Sequence, residues 1–188
     1  MNKMECSACE DVKQILAKLG VNDDYFLERG LVKFDNACTS SLVVVQVDED
    51  GREHELITGA GKAWQSMKDA ASSDGIELEM VSAFRSVDRQ AQIVRGKFQR
   101  GLSFDEIFAV SAAPGFSEHH TGRAVDITAP GYAVLEEEFE ESEAFEWLQK
   151  NAGKFDFSMT YERGNAYGYL YEPWHWVWTE RAGNKGAD

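Results

Sequence analysis

Two short segments that carry histidine constrain this chain more than any other feature of its 188 residues. The first runs from Ser117 to Asp126 and contains His119, and the second runs from Glu172 to His175. If the polar side chains of both segments bind one ligand, the fold must bring them side by side although they are far apart in sequence.

His119, Asp126 and His175 have the residue types of a metal site. A catalytic zinc ion takes three protein ligands, typically His, Asp or Glu, and keeps one position open for water. His119 and Asp126 are seven residues apart and would point to opposite faces of one regular strand. His119 is therefore expected to precede the strand, which Gly122 permits. A single histidine is more often packed or exposed than metal-bound, so the combination carries this prediction.

Glu172 lies three residues before His175, in the pattern E-x-x-H. A bend between the two residues can place the carboxylate beside the metal without binding it. A carboxylate there can take a proton from water and later give it to a leaving amine. The arrangement differs from H-E-x-x-H, in which one helix carries two ligands and the base, and that pentapeptide is absent from the sequence.

Hydrophobic periodicity predicts a mixture of helices and strands. Leu42–Val47 and His54–Ile57 are expected to form a hairpin around a turn at Asp50-Gly51. Helices are predicted at about 9–19, 60–73, 88–100, 103–109 and 134–152, and further strands at about 76–84, 122–128, 157–161 and 174–178. Because helices and strands do not alternate strictly, we expect an α+β fold with a mostly antiparallel sheet and helices packed on it.

Two of the predicted strands have distinct sides. Val125 and Ile127 form the more apolar side of their strand, which leaves Asp126 on the other. Trp174, Trp176 and Trp178 share one parity and are expected to pack in the core or at its rim.

The composition is that of a globular protein with one compact domain. A net charge of -14 disfavours a nucleic-acid binder, which normally carries a basic surface. The acidic run from Glu136 to Glu143 is interpreted as a solvated helix face. No apolar run is long enough to span a membrane, and no signal peptide is visible. Cys6, Cys9 and Cys38 are interpreted as buried or incidental thiols, with a disulfide between an N-terminal cysteine and Cys38 as the alternative in an exported protein.

The remaining histidines and two tyrosines have weaker assignments. His120 follows His119 directly, and adjacent residues of an extended chain point to opposite sides, so a structural role is expected for His120. His54 lies on the hairpin away from the motifs and is interpreted as a surface residue. Tyr161 and Tyr167 precede the second segment and are candidates for lining a pocket.

Three segments of the chain match one family together. They are Ser82–Ser86, the pattern S-x-H-x-x-G-x-A-x-D at 117–126, and Glu172–His175. These segments resemble the VanY-type D-alanyl-D-alanine carboxypeptidases, which belong with the zinc peptidases related to lysostaphin, the D-Ala-D-Ala dipeptidases and the hedgehog signalling domain. The resemblance spans roughly residues 58–178. It implies a hedgehog/D-Ala-D-Ala peptidase-like fold, and we expect a zinc peptidase domain at 41–182. Residues 1–40 fall outside the resemblance and are expected to form an N-terminal helical extension.

The resemblance also implies the central roles at the site. His119, Asp126 and His175 match the zinc ligands, and Glu172 matches the catalytic base. Arg85 matches an arginine that binds the substrate and stabilises the polarised carbonyl. A guanidinium lowers the barrier there because it interacts more strongly as negative charge develops on the oxygen.

Three further residues are candidates for substrate binding. Gln90 matches a position that can hold the terminal carboxylate of the substrate. Ser117 matches a hydroxyl that hydrogen-bonds the peptide. Trp174 lies beside the third ligand and can wall the substrate cleft.

The expected function is that of a zinc-dependent peptidase that trims peptidoglycan stem peptides, as a D,D- or L,D-carboxypeptidase releasing terminal D-alanine. The alternatives are an endolysin-like endopeptidase and a zinc-binding interaction module without catalysis, and the motifs do not separate them. The substrate implies the cell envelope or periplasm, although a cytoplasmic location stays open without a visible signal peptide. The expected partner is a stem peptide or muropeptide, and the oligomeric state is left open.

Overall fold

The computed structural model describes residues 12–180, which form six α-helices and six β-strands. The helices are α1 (Val12–Lys18), α2 (Asp24–Glu28), α3 (Thr58–Ser73), α4 (Val87–Gln99), α5 (Phe104–Ala109) and α6 (Glu143–Asn151). The strands are β1 (Leu42–Val47), β2 (Glu53–Ile57), β3 (Glu79–Ser82), β4 (Ala124–Thr128), β5 (Phe157–Met159) and β6 (His175–Trp178). Within the described range, no helix has the length and apolar character needed to cross a membrane.

A four-stranded antiparallel sheet in the order β3-β4-β6-β5 forms the centre of the fold. β4 lies between β3 and β6, and all of its residues are buried. The register places Asp126 opposite His175 on one side and opposite Ser82 on the other. β3 is shorter than the strand predicted at 76–84, but the expected α+β fold with an antiparallel sheet is confirmed.

The predicted hairpin is formed by β1 and β2, outside the central sheet. Its turn contains Gly51, whose φ of 81° lies in the left-handed region that favours glycine. The prediction that His54 lies at the surface is wrong, because His54 and Leu56 share the buried side of β2. Nε2 of His54 forms a hydrogen bond with the carboxylate of Asp48, at 2.7 Å.

The first hydrophobic cluster packs one face of the sheet against α3 and α6. Trp64 of α3 is fully buried in it. The predicted apolar sides of two strands also lie there, with Val125 and Ile127 from β4 and Trp176 and Trp178 from β6. Because side chains alternate along a strand, Asp126 and His175 belong to the opposite face of the sheet.

The second hydrophobic cluster joins the N-terminal helices to α4 and α5. Leu16 and Phe26 come from α1 and α2, and they share this cluster with Val94, Phe108 and Phe116. The rings of Phe26 and Phe108 lie edge to face with centroids 5.0 Å apart. Residues from α1 and α2 therefore share a core with the helices that follow β3. The division of the chain into 1–40 and 41–182 stays a prediction.

Two predictions concern residues outside the described range. One is the interpretation of Cys6 and Cys9 as thiols, and the other is the start of the helix predicted at 9–19. The structure shows this helix as α1 from Val12 onward. Cys38 is half-buried.

The prediction of one helix over 134–152 is wrong. Leu135 has a left-handed backbone with a φ of 60°, and a short 3-10 helix follows at Glu137–Glu141. α6 begins only after Ser142, whose hydroxyl accepts a hydrogen bond from the backbone N–H of Phe145 at 3.0 Å. A serine N-cap is a strong helix start, and it divides the apolar-periodic part from the acidic run.

Candidate active site

The three predicted metal ligands converge on the face of the sheet opposite the first cluster. Asp126 and His175 are cross-strand partners on β4 and β6, and His119 comes from a 3-10 helix, Glu118–Thr121, that precedes β4. Gly122 ends that helix with a φ of 65°, so His119 lies before the strand as the spacing predicted. One ligand atom from each residue lies within 4.8 Å of the other two, and all three residues are buried.

Both histidine rings are held by their second nitrogen. Nδ1 of His119 donates to the carbonyl oxygen of Ala83 at 2.7 Å, and Nε2 of His175 lies 2.9 Å from a carboxylate oxygen of Glu118. The other nitrogens both face Asp126, at 3.1 Å for His119 Nε2 and 3.0 Å for His175 Nδ1. Such contacts fix the orientation of metal-binding imidazoles.

The charges of the three ligands fit a bound cation. Burial lowers the pKa of His119, so its ring is neutral. The hydrogen atom of the ring is on Nδ1, which donates to the carbonyl of Ala83. Nε2 therefore directs a lone pair at the carboxylate of Asp126. Although burial opposes ionisation of Asp126, its pKa lies well below the usual range, so Asp126 is a carboxylate. Two acceptors that face each other in a buried site repel, and a cation between them removes that cost.

His175 is protonated on both ring nitrogens in the metal-free protein. Burial disfavours its charged form, but hydrogen bonds to Asp126 and Glu118 raise its pKa to about 10. A metal ion can take the place of the proton on Nδ1, since metal binding releases protons from its ligands. Two imidazole nitrogens and a carboxylate are ligands suited to zinc, and three of them leave one coordination position open.

Glu172 is placed beside the ligands by the turn that enters β6. Its backbone N–H donates to the carbonyl of Tyr161 at 3.0 Å, and its own carbonyl accepts from the N–H of His175 at 3.1 Å. Burial raises the pKa of Glu172 to about 7, against the opposing charges of His175 and Arg85. A carboxyl group with a pKa near neutrality can both accept and return a proton.

Arg85 follows β3 and is anchored by its backbone. Its N–H donates to the carbonyl of His119 at 3.2 Å, and its carbonyl accepts from Nδ1 of His120 at 2.6 Å. Nε of its guanidinium is buried without a hydrogen-bond partner among the described residues. Burial lowers the pKa of Arg85, and the carboxylates of Asp126 and Glu172 oppose that shift. The guanidinium stays charged and retains hydrogen-bonding capacity for a substrate.

His120 lies outside the metal cluster, in the structural position that was expected. Its Nε2 accepts from the backbone N–H of Gly115 at 3.1 Å, while its Nδ1 holds the carbonyl of Arg85. Burial lowers the pKa of His120 to about 4, so the ring is neutral. The two histidines of the first segment therefore differ: His119 belongs to the cluster of candidate metal ligands, and His120 binds the backbone carbonyl of Arg85.

A cavity of about 570 Å³ opens over the cluster, within the range usual for small-ligand pockets. It is lined by every predicted site residue, namely Arg85, Gln90, Ser117, His119, Asp126, Glu172, Trp174 and His175. The geometry thus brings together residues from β4, β6, α4 and the connecting segments around one space.

Of the three further residues predicted to bind substrate, Gln90 and Ser117 are buried and Trp174 is half-buried. Gln90 is 1% exposed and donates through Nε2 to the carbonyl of Ala112 at 2.6 Å, while its Oε1 has no partner among the described residues. Ser117 is 4% exposed. Trp174 is half-buried and packs against the first cluster. Their roles toward a substrate stay predictions.

Sequence reasoning missed several residues at the cavity. Lys97 lies two helical turns after Gln90 on the same face of α4, a spacing that could have identified it. Tyr169 also lines the cavity together with the predicted Tyr161, whereas Tyr167 lines a separate cavity of about 30 Å³. Glu136 and Glu137, assigned to a solvated helix face, lie on the wall of the main cavity.

Glu118 is the other residue that was missed. It stands between two motif residues at a position that the pattern leaves free, and its contact with His175 joins segments far apart in sequence. Burial raises its pKa, but hydrogen bonds from His175, Thr160 and Tyr161 more than compensate, and the net pKa is lowered. Glu118 is therefore an ionised acceptor.

Comparisons with known proteins identify the family of this chain. The family model for VanY, D-alanyl-D-alanine carboxypeptidase, matches residues 53–181. YodJ of Bacillus subtilis (strain 168), named as a carboxypeptidase, is 39% identical over 143 residues, which are 72% of this chain and 52% of YodJ. A D-alanyl-D-alanine carboxypeptidase of Enterococcus faecalis is 31% identical over 122 residues, 60% of this chain and 44% of that protein. The chain thus spans about half the length of these relatives.

Solved structures show the same fold. The LdcB LD-carboxypeptidase superimposes with a TM-score of 0.67 at 31% identity, over 79% of this chain and 74% of that one. A variant of the vancomycin-resistance D,D-pentapeptidase VanY, in complex with Zn(II), has a TM-score of 0.59 at 25% identity, over 79% and 85% of the two chains. From the matched sequence model and these relatives, the chain belongs to the VanY family of D-alanyl-D-alanine carboxypeptidases.

Proposed function

We propose that the protein is a zinc carboxypeptidase that removes a terminal D-alanine from the stem peptides of peptidoglycan. The observation that carries this proposal is the buried His119–Asp126–His175 cluster with Glu172 on the wall of the same cavity. A metal-binding module without catalysis needs no carboxylate of raised pKa beside its ligands. The family relatives support the choice of a terminal peptide bond.

Glu172 acts as the general base and then as the general acid. His119, Asp126 and His175 would hold a zinc ion, which would supply a Lewis acid and make water easier to deprotonate. Glu172 accepts the proton of the attacking water at a carboxylate oxygen. It then donates that proton to the nitrogen of the departing D-alanine, so the base is restored at the end of each cycle.

Arg85 stabilises the negative charge that develops on the carbonyl oxygen during attack. Its buried guanidinium has hydrogen-bonding capacity left over, and its backbone is fixed by His119 and His120. Because the negative charge on that oxygen is larger in the transition state, a donor already in place stabilises the transition state more than the bound substrate.

Lys97 and Arg85 line a cavity that also contains the carboxylates of Asp126, Glu136, Glu137 and Glu172, and these two cations can bind a free carboxyl end of a substrate. Lys97 donates to the hydroxyl of Ser111 and forms no ion pair with a described carboxylate. Burial lowers its pKa, and repulsion from Arg100 and Arg85 adds to that effect. A peptide carboxylate near Lys97 and Arg85 would offset this repulsion. Exopeptidase activity therefore fits the cavity better than endopeptidase activity.

Digestion of defined peptides tests the proposal. Stem pentapeptides and tetrapeptides are compared, each with a free C-terminal carboxylate and as the C-terminal amide. Release of D-alanine from the acids and of D-alanine amide from the amides is measured. We expect D-alanine from the free acids, and which length is cut distinguishes D,D- from L,D-specificity. Hydrolysis of the amides at the same rate, or lysis of purified sacculi without release of D-alanine, would instead show an endopeptidase.

Two controls separate catalysis from zinc binding. Glu172→Gln should lower kcat by about 100- to 10,000-fold while zinc still binds, because the amide cannot take the proton. Glu77→Gln makes the same chemical change at an exposed site and should leave kcat unchanged. Full activity after removal of zinc with a chelator would contradict the mechanism.

The same proposal sets the place of action. Stem peptides lie outside the cytoplasmic membrane, so we propose the cell envelope or periplasm for this enzyme. Fractionation of cells with an antibody against the protein tests this assignment, and recovery with the cytoplasmic markers alone would contradict it.

A further inference from the structure

Glu118 makes a contact that the proposed reaction does not use. It directly precedes His119 in the 3-10 helix, yet its carboxylate turns to the other histidine ligand, with Oε2 at 2.9 Å from Nε2 of His175. Its second oxygen, Oε1, accepts from the hydroxyl of Thr160 at 3.5 Å. The hydroxyl of Tyr161 donates to the same carboxylate, and the Tyr161 ring stacks on His175 with centroids 4.7 Å apart.

This contact determines which nitrogen of His175 is available to a metal. A carboxylate only accepts hydrogen bonds, so Nε2 of His175 must carry a hydrogen atom where it faces Glu118. The neutral imidazole then has its lone pair on Nδ1, which points at Asp126 and the other ligands. His119 shows the opposite arrangement, with its hydrogen on Nδ1 and its lone pair on Nε2.

Glu118 is not placed to act on a substrate. It lies across the imidazole ring from the ligand cluster and is absent from the wall of the main cavity. It lines instead the separate cavity of about 30 Å³, beside Thr160 and Phe116. Its effect on the site therefore passes through His175.

We propose that Glu118 is a positioning residue that holds His175 in the Nε2–H form, so that Nδ1 binds zinc. The two histidine ligands then have different hydrogen-bond partners. His119 donates to the neutral carbonyl of Ala83, and His175 donates to the carboxylate of Glu118. A carboxylate partner raises the basicity of a metal-binding imidazole more than a carbonyl does. The inference rests on the zinc centre proposed above, but not on any peptidase activity.

Zinc affinity tests the inference directly. Dissociation constants are measured by competition with a chromophoric chelator for the wild type, Glu118→Gln, Glu118→Ala and the exposed control Glu77→Gln. We expect zinc affinity to fall about 10- to 100-fold in both Glu118 variants and to stay unchanged in the control. In Glu118→Gln, the amide NH₂ group can face Nε2 and so favour the tautomer with hydrogen on Nδ1, the wrong nitrogen.

A second measurement uses only the wild-type protein and holds even if the variants fail to fold. Heteronuclear NMR of the zinc-loaded protein with ¹⁵N-labelled histidine identifies the protonated nitrogen of each ring. We expect hydrogen on Nε2 of His175 and on Nδ1 of His119. Hydrogen on Nδ1 of His175, unchanged zinc affinity in both Glu118 variants, or no zinc binding by the wild type would overturn the inference. Zinc binding without hydrolysis would refute the proposed reaction and leave this inference standing.

Discussion

Burial of Glu172 determines the pH at which the proposed base is ready to act. Its pKa is raised to about 7, chiefly because the cavity disfavours the charged form. The base must be ionised to accept a proton, so activity is lost as the pH falls through that pKa. The charge of a bound zinc ion favours the carboxylate and moves the pKa down.

The pH profile of kcat/KM should therefore rise on the acid side and level off, with a midpoint at or below about 7. Initial rates on a free-acid stem peptide across the range measure it. An activity that rises only in alkaline solution would contradict the assignment of Glu172, as would an acid limb that persists unchanged in the residual activity of Glu172→Gln.

Arg85 is the second residue whose contribution can be measured alone. Replacement of its guanidinium in Arg85→Met should lower kcat/KM by about 100- to 1,000-fold, the usual cost of losing one donor to a developing oxyanion. Arg95→Met removes the same group from the exposed side of α4 and serves as the matched control. A loss in Arg85→Met no larger than in the control would show that Arg85 is a structural residue.

At the level of elements, the join between the ligand-bearing 3-10 helix and β4 depends on Gly122. Its φ is 65°, and an added Cβ would lie 3.0 Å from Cδ2 of Leu42 and 3.2 Å from the backbone nitrogen of Ile57. Its N–H also donates to the carbonyl of His119 at 3.2 Å. The glycine thus lets the hairpin approach the segment that carries the first ligand.

Gly122→Ala should destabilise the protein by more than the cost of a left-handed backbone alone, which is about 1–2 kcal/mol. Gly75→Ala isolates that backbone cost, since Gly75 has a φ of 80° with no atom within 4 Å of the added Cβ. Chemical denaturation of the metal-free variants gives both free energies of unfolding. Equal losses would show that the contacts with Leu42 and Ile57 are relieved at no cost.

The elements that could be predicted from sequence are those whose signal is local. The hairpin, α4 and β4 follow from periodicity and turn residues, and the three ligands follow from two compact motifs. The prediction for the acidic segment was wrong because glutamate favours helices. The α-helix begins only after the N-cap Ser142. The burial of His54 and the contact of Glu118 with His175 depend on tertiary neighbours, which no local pattern encodes.

For the whole molecule, zinc should act as a stabilising ligand. A zinc ion bound by His119, Asp126 and His175 would join β4, β6 and the 3-10 helix. A ligand that binds only the folded state, at 100 times its dissociation constant, adds about 2.7 kcal/mol. Thermal unfolding with and without zinc should show a Tm that rises with zinc concentration. His119→Ala should weaken that response, and an unchanged wild-type Tm at saturating zinc would contradict a buried site.

The response to zinc should also depend on pH. In the metal-free protein the folded-state pKa of His175 is raised to about 10, so its proton stabilises the fold below the ordinary histidine pKa and this contribution is lost as the pH rises toward 10. Zinc must displace that proton, which costs less at higher pH. The increase in Tm with zinc should therefore be larger at pH 8.5 than at pH 6.5, and release of a proton should be detectable by calorimetry in two buffers.

The register that sets Asp126 opposite His175 also imposes an order on assembly. His119 and Asp126 are close in the chain and can meet early, but they offer only two ligands. The third arrives when β6 docks beside β4, a contact between distant parts of the chain that forms slowly because a long loop must close first. Tight binding of a metal by all three residues would thus require a complete central sheet, and a partly folded chain would gain little from the ion.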